Sequence, residues 1–379
     1  MLRNSLTILT VYGIPIKLHI SFLLILPFMA YAIGSNIEEI ALMAGVQPVF
    51  LSFNPYLLGL ILAILLFVSV ALHELAHSYI ALKQGLKIKD ITLMLLGGIA
   101  QIEDDSGEIK DEALMAFAGP FLSLVLGIIL LGIIRPATAF LPTDYRLIVY
   151  YLGFMNIFLA VFNLIPAFPS DGGRILRSLL ARKISYLRAT KIATRVGKIF
   201  AFLLGYVGLV NGQILLILIA FFIYIGASQE YKFNLVRDAF SDLYVEDVMT
   251  KNVSTVKEST TISALLDKML QEKHTGYPVV NDSGDITGCI TLNDIKNISE
   301  TQENKQVKDI MSEDLVVVKT SDLLFDAFRK MSEKNIGRLL VIEGGNLQGI
   351  ITRSDIMKAQ RFKDLKSRKT NYKKHSALE

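Results

Sequence analysis

Apolar residues gather into six long runs, at about 19–34, 56–82, 113–134, 147–168, 197–210 and 212–228. A helix needs about 20 apolar residues to cross about 30 Å of hydrocarbon, and the first four runs are near that length. The fifth and sixth are shorter. Only Asn211-Gly212 separates them, which predicts a tight helical hairpin. Residues 7–18 are rich in β-branched side chains and predict strand. Ile91–Leu96, Gly97-Gly98 and Ile99–Ile102 predict a β-hairpin inserted after the second run. Past residue 228 the pattern changes, and charged residues recur every few positions.

The pattern therefore predicts a polytopic α-helical membrane protein of about six spans, with a short membrane-associated β element, plus a soluble α/β module. The expected boundaries are a membrane part over 1–228, a linker over 229–241, and two soluble repeats over 242–299 and 305–361. A basic tail, 362–379, is expected to be disordered.

The repeats are visible in the sequence itself. Asp247-Val-Met-Thr250 recurs as Asp309-Ile-Met-Ser312, and Thr291-Leu-Asn-Asp294 as Thr352-Arg-Ser-Asp355. Between these marks each copy reads strand, amphipathic helix, two strands, helix. In the first copy these are Val253–Val256, Ile262–Leu270, Tyr277–Val280 and Ile286–Thr291. In the second they are Leu315–Val318, Leu323–Met331, Leu339–Ile342 and Leu347–Thr352. A unit that recurs once predicts two copies packed face to face.

Composition agrees with the membrane reading. Of 379 residues, 52% are hydrophobic and only 20% charged, which argues against an ordinary cytosolic protein. Cys289 stands alone, so an intrachain disulfide and a multi-cysteine zinc site are both excluded. A net charge of +4 is too small to argue for nucleic acid. The distribution of charge says more. Residues 35–54 carry no lysine or arginine, whereas 172–198 carry eight and no acid. By the positive-inside rule that segment lies in the cytoplasm, and six spans put the N-terminus and the soluble part on the same side of a cell membrane.

The candidate chemistry begins with His73-Glu74-Leu75-Ala76-His77, inside the second run. Histidines at i and i+4 share one helix face and can chelate one ion. Zinc lowers the pKa of a coordinated water to about 7, and Glu74 stands ready to take its proton. Ionisable groups at the bilayer centre cost roughly 2.5–3.5 kcal/mol each, a cost that metal coordination offsets. A third protein ligand is needed. The best candidate is Asp171, in Asn163-Leu-Ile-Pro166-Ala-Phe-Pro169-Ser-Asp171-Gly-Gly after the fourth run. Two prolines end the helix there, and broken backbone at membrane depth is tolerated where it lines a polar cavity. His19, alone at the start of a run, reads as structural.

HELAH in a span, AGP at Ala118-Gly119-Pro120 and NLIPAFPSDGG together resemble the site-2 protease family of intramembrane metalloproteases. The resemblance covers most of residues 7–228. Ser170 departs from it, where members often carry an apolar residue. It implies one zinc ion held by His73, His77 and Asp171, with Glu74 as general base. It also implies that the substrate is the transmembrane segment of a membrane protein. The hairpin after the second run would hold that segment extended, and Asn163 would bind its carbonyl or oxyanion.

The repeats resemble a tandem pair of CBS domains. That resemblance implies adenine nucleotide binding (ATP, ADP or AMP), with Asp294 and Asp355 on the ribose and Thr291 and Thr352 on the phosphate. The plainer reading is that these aspartates cap the following helices and that the pair serves as a homodimer contact. The overall expectation is a nucleotide-regulated intramembrane zinc protease. The rivals are a catalytically inactive membrane scaffold and a CBS-regulated transporter.

Overall fold

The computed structural model describes residues 5–94, 97–102, 111–137, 140–296 and 305–359. The expected tail, 362–379, lies outside them. The chain divides into two compact units, Met1–Asn234 and Leu235–Glu379.

The first unit opens with β1 (Ser5–Val11) and β2 (Ile14–His19), an antiparallel hairpin over the strand-like stretch. Its turn, Tyr12-Gly13, has φ of 51° and 78°, the left-handed pair that matches strand twist. Helix α1 (Ile20–Ser35) follows. His19 caps it, with Nδ1 accepting from the Ser21 N–H at 3.2 Å, a structural role. A 62° bend separates α1 from α2 (Ile37–Met43). Next comes α3 (Pro55–Lys83), started by Asn54, whose Oδ1 accepts from the N–H groups of Tyr56 and Leu57.

The hairpin β3 (Ile88–Met94) and β4 (Gly97–Ile102) leaves α3, and β3 lies parallel to β2. The sheet order is β1-β2-β3-β4, so among the described residues β4 has a partner on one side only. Buried Asp90 fastens the middle: it pairs with Lys17 of β2 at 2.8 Å and accepts from Thr92.

Helix α4 (Glu112–Ile128) continues through a π-helical turn, Ile129–Ile134, into α5 (Arg135–Ala137). Then come α6 (Thr143–Asn163), α7 (Asp171–Ala181), α8 (Tyr186–Val210) and α9 (Ile214–Phe240). Among the described residues five helices are long and apolar enough to cross a membrane, or six if α1 and α2 form one bent span. Their outward side chains, such as Leu24, Phe202 and Leu209, are exposed apolar groups, as a lipid-facing surface requires.

Three differences from the sequence expectation have local causes. The fourth run reaches 168, but α6 stops at Asn163, because Pro166 and Pro169 deny the helix two N–H donors and clash with the preceding turn. The fifth run starts at 197, but its helix starts at Tyr186, since a basic first half leaves helical hydrogen bonding intact. Residues 229–240, expected as linker, continue α9.

In the second unit the copies share one topology. Copy one has β5 (Val256–Lys257), α10 (Ile262–Glu272), β6 (Gly276–Val280), β7 (Ile286–Thr291) and α11 (Leu292–Ile295). Copy two has β8 (Val317–Val318), α12 (Leu324–Glu333), β9 (Arg338–Glu343) and β10 (Asn346–Thr352), with 353–359 helical. In each sheet the first strand runs parallel to the second and the second antiparallel to the third. The first strands are two residues long, shorter than expected, because only those residues find a ladder partner. The copies interlock. Thr250, ahead of copy one, bridges Ile350 of copy two, and Ser312, ahead of copy two, bridges Cys289 of copy one.

One buried charge in the membrane unit gives a direct test. Asp144, 1% exposed at the start of α6, accepts from the N–H groups of Ser52 and Phe53 at 3.1 Å. Asp144→Ala strands both donors, and thermal melting in detergent should register a loss of about 2–3 kcal/mol.

Candidate metal centre

His73 and His77 are one helical turn apart on α3, so their rings project from the same face, with centroids 4.8 Å apart. Asp171 comes from the broken segment after α6. Ser170 Oγ lies 2.7 Å from Ile165 O and 2.6 Å from Ala167 O, so its hydroxyl can donate to carbonyls the helix no longer uses. Gly172 lets the chain fold back on itself: a Cβ there would overlap Ile165 O. Asp171 becomes the first residue of α7, with Oδ2 at 3.2 Å from Nε2 of both histidines. Among the described residues these three form the one group whose ligand atoms converge, all within 4.8 Å.

The other ring nitrogens are also engaged. His77 Nδ1 is 2.7 Å from Met115 O. A carbonyl only accepts, so Nδ1 carries a proton, and Nε2, turned toward the Asp171 carboxylate, is the nitrogen left to ligate an ion. His73 Nδ1 pairs with buried Ser123 Oγ at 2.9 Å. A ring nitrogen and a carboxylate oxygen 3.2 Å apart are held there by a shared proton or a shared cation. Two imidazoles and one carboxylate, each ring fixed through its far nitrogen, is a donor set that fits zinc with one position left open.

Two further elements come close. Glycine at 119 lets α4 pass beside the imidazoles, since a Cβ there would overlap His77 Nε2 and stand 2.6 Å from His73 Nε2. A cavity of about 580 Å³ is lined by His73, Glu74, His77, Asn163, Asp171 and Gly98 of β4. The proposed base, the candidate carbonyl binder and the hairpin thus face one space. Asn163 Nδ2 also donates to Leu159 O at 3.0 Å, satisfying the end of α6.

In the second unit, Thr291 and Thr352 each donate hydroxyl and backbone N–H to the Oδ2 of Asp294 and Asp355, at 2.6–3.1 Å. The aspartates do cap their helices. Each pair also borders a cleft, of about 520 Å³ at Thr291 and Asp294 and about 440 Å³ at Thr352 and Asp355. Arg338 lines both. Cys289 lies in the first cleft, where burial raises its thiol above the ordinary pKa and keeps it protonated.

Sequence reasoning missed Ser123 and Met115. Ser123 had a faint signal, a hydroxyl in an apolar run; a main-chain carbonyl has none. It also passed over buried Arg177 and its half-buried partners Glu112 and Glu230, which meet near α7. The contact at position 119 gives a test: Gly119→Ala should purify folded yet with zinc well below one ion per chain by metal analysis.

Family models place the chain among known proteins. The model described as peptidase family M50 matches residues 61–141 and 133–204, and that of the CBS domain matches 245–300 and 307–361. The zinc metalloprotease MJ0392 of Methanocaldococcus jannaschii is 40% identical over 96% of this chain and 98% of its own. The solved site-2 protease of that organism is 38% identical, covering 60% of this chain and 95% of that one, with a TM-score of 0.44. CBSX2, solved in complex with AMP, is 31% identical over 31% of this chain and 94% of its own, with a TM-score of 0.28. Identity sustained along nearly the whole length of a zinc metalloprotease, with both family models matched, makes this chain a membrane metalloprotease of the M50, or site-2 protease, family that carries a C-terminal pair of CBS domains.

Proposed function

We propose that His73, His77 and Asp171 hold one zinc ion and that Glu74 is the general base in hydrolysis of a peptide bond within a substrate's transmembrane segment. The observation that carries this is the convergence of two Nε2 atoms and one Oδ2, with the His77 tautomer set by Met115 O. Zinc supplies a Lewis acid that polarises the scissile carbonyl and acidifies water. Glu74 faces the same cavity and takes the proton from the attacking water, then delivers it to the leaving amine. Asn163 turns its amide from Leu159 O to the substrate carbonyl oxygen as negative charge develops there.

A peptide bond in a helix is shielded by its own hydrogen bonding, so the substrate has to be held extended. Strand β4, paired on one side only among the described residues and with Gly98 close to Glu74, suits strand addition. The basic stretch 172–198 supports an N-terminus and CBS pair in the cytoplasm. The working boundaries are a membrane domain over 1–228, a connection over 229–241, and CBS domains over 242–299 and 305–361.

The two clefts of the CBS pair are the sites for adenine nucleotides. In each, Oδ2 of the aspartate is used by the helix cap, and Oδ1, which at Asp355 also lies 3.8 Å from Lys358 Nζ, accepts from ribose hydroxyls, while the threonine stands at the phosphate side. A nucleotide that binds one arrangement of the pair more tightly shifts the protease between states of substrate access. The pair also serves as a homodimer contact.

Glu74→Gln should keep about one zinc per chain while cleavage of a model transmembrane substrate falls by roughly 100-fold or more. Asp171→Ala should lose the zinc. A Glu74→Gln form that still cleaves would refute the assignment. Asp294→Ala and Asp355→Ala should each weaken binding of ATP or AMP to the full chain, and the double variant should abolish any effect of nucleotide on cleavage rate.

A further inference from the structure

Arg177 lies on α7, six residues beyond Asp171, and the chemistry above does not use it. Its side chain is only 5% exposed. Nε donates to Glu112 Oε2 at 3.3 Å, Nη2 to Glu112 Oε1, and Nη1 to Glu230 Oε1. The guanidinium carbon also stands 4.7 Å from the centre of the Phe168 ring and 4.8 Å from that of Tyr186. A planar group gripped by a two-pronged carboxylate, a second carboxylate and two aromatic faces has little freedom left.

These partners lie where the metal centre is assembled. Glu112 is in the first turn of α4, three residues ahead of Met115, whose carbonyl sets the His77 ring. Phe168, fully buried, is three residues ahead of Asp171 in the broken segment. One guanidinium therefore joins the segment that delivers the carboxylate to the turn that orients an imidazole. Those two pieces have to keep a fixed spacing for Asp171 Oδ2 to stand 3.2 Å from both Nε2 atoms. Glu230 adds α9 as a third anchor on the same group.

We propose that Arg177 is a positioning residue for the metal centre, locking Asp171 against the α4 turn that orients His77 through its fork on Glu112 and its stacking on Phe168. The inference rests on His73, His77 and Asp171 being the zinc ligands. Arg177 touches none of them; it acts through the backbone on either side. Lysine is no substitute, because a point charge on a flexible stem cannot present two coplanar donors to Glu112 while lying flat on a ring. The contact with Glu230 also gives α9 a direct pull on the same guanidinium, so a shift of that helix reaches Asp171 without crossing the cavity.

The test uses the full chain in detergent, as wild type, Arg177→Lys, Glu112→Gln and Asp171→Ala. Zinc affinity is measured by competition with a chromophoric chelator, melting on the zinc-free protein, and kcat and KM on a model substrate. Arg177→Lys should bind zinc roughly 10–100-fold more weakly, the usual cost of losing a group that supports a ligand. Its kcat should fall with KM nearly unchanged, and excess zinc should restore much of the rate. Glu112→Gln should show a smaller loss in the same direction. A lower melting temperature with wild-type zinc affinity would mean a purely structural arginine and overturn the proposal. Where Arg177→Lys does not fold, Glu112→Gln decides: a folded form with wild-type zinc affinity overturns it equally. Wild type that takes up no more zinc than Asp171→Ala refutes the ligand assignment itself, and the inference with it.

Discussion

A carboxylate facing two ring nitrogens inside a bundle of apolar helices is stable only if something positive stands among them. The His77 Nδ1 bond to Met115 O fixes the ring and turns Nε2 toward Asp171. Nε2 and the carboxylate thus face each other, and the surrounding helices are arranged around this meeting. The α3 helix supplies both rings, α4 passes close enough to support them only because position 119 lacks a Cβ, and α6 breaks so that α7 can begin on Asp171. A metal held by these three groups would thus be bound up with the packing of the membrane unit.

The same economy explains why the centre can sit in lipid. Each irregular piece of backbone near it finds its own partner. The Ser170 hydroxyl reaches the Ile165 and Ala167 carbonyls of the broken segment, and the Asn163 amide bonds back to Leu159 O in the last turn of α6. Asp144 gathers the N–H groups of a loop at the other end of that helix. At these places side chains take the main-chain groups that water would satisfy elsewhere, as the hydrocarbon demands.

Much of this was legible in the sequence, and what was not has physical reasons. His73 and His77 could be picked out because charge in an apolar run is expensive and needs a partner, and Asp171 because two prolines break the backbone just ahead of it. The repeats were legible because Thr-x-x-Asp occurs twice in register. Helix ends were less so. The start of α8 at Tyr186 is hidden by its basic residues, since hydropathy reports burial in lipid and not helical hydrogen bonding. Met115 could not be found, because the acting group is a carbonyl that every residue has. Arg177 looked like one more cytoplasmic positive charge among eight. Only three-dimensional proximity to Glu112 and Glu230 sets it apart.

In the second unit, the strand bridges are exchanged: what precedes each copy pairs with the last strand of the other, Thr250 with Ile350 and Ser312 with Cys289. Neither half is therefore closed by its own residues. A lone copy would be left with a raw margin where its sister's lead-in belongs, so the smallest piece that can be inherited, lost or grafted onto another protein is the couple.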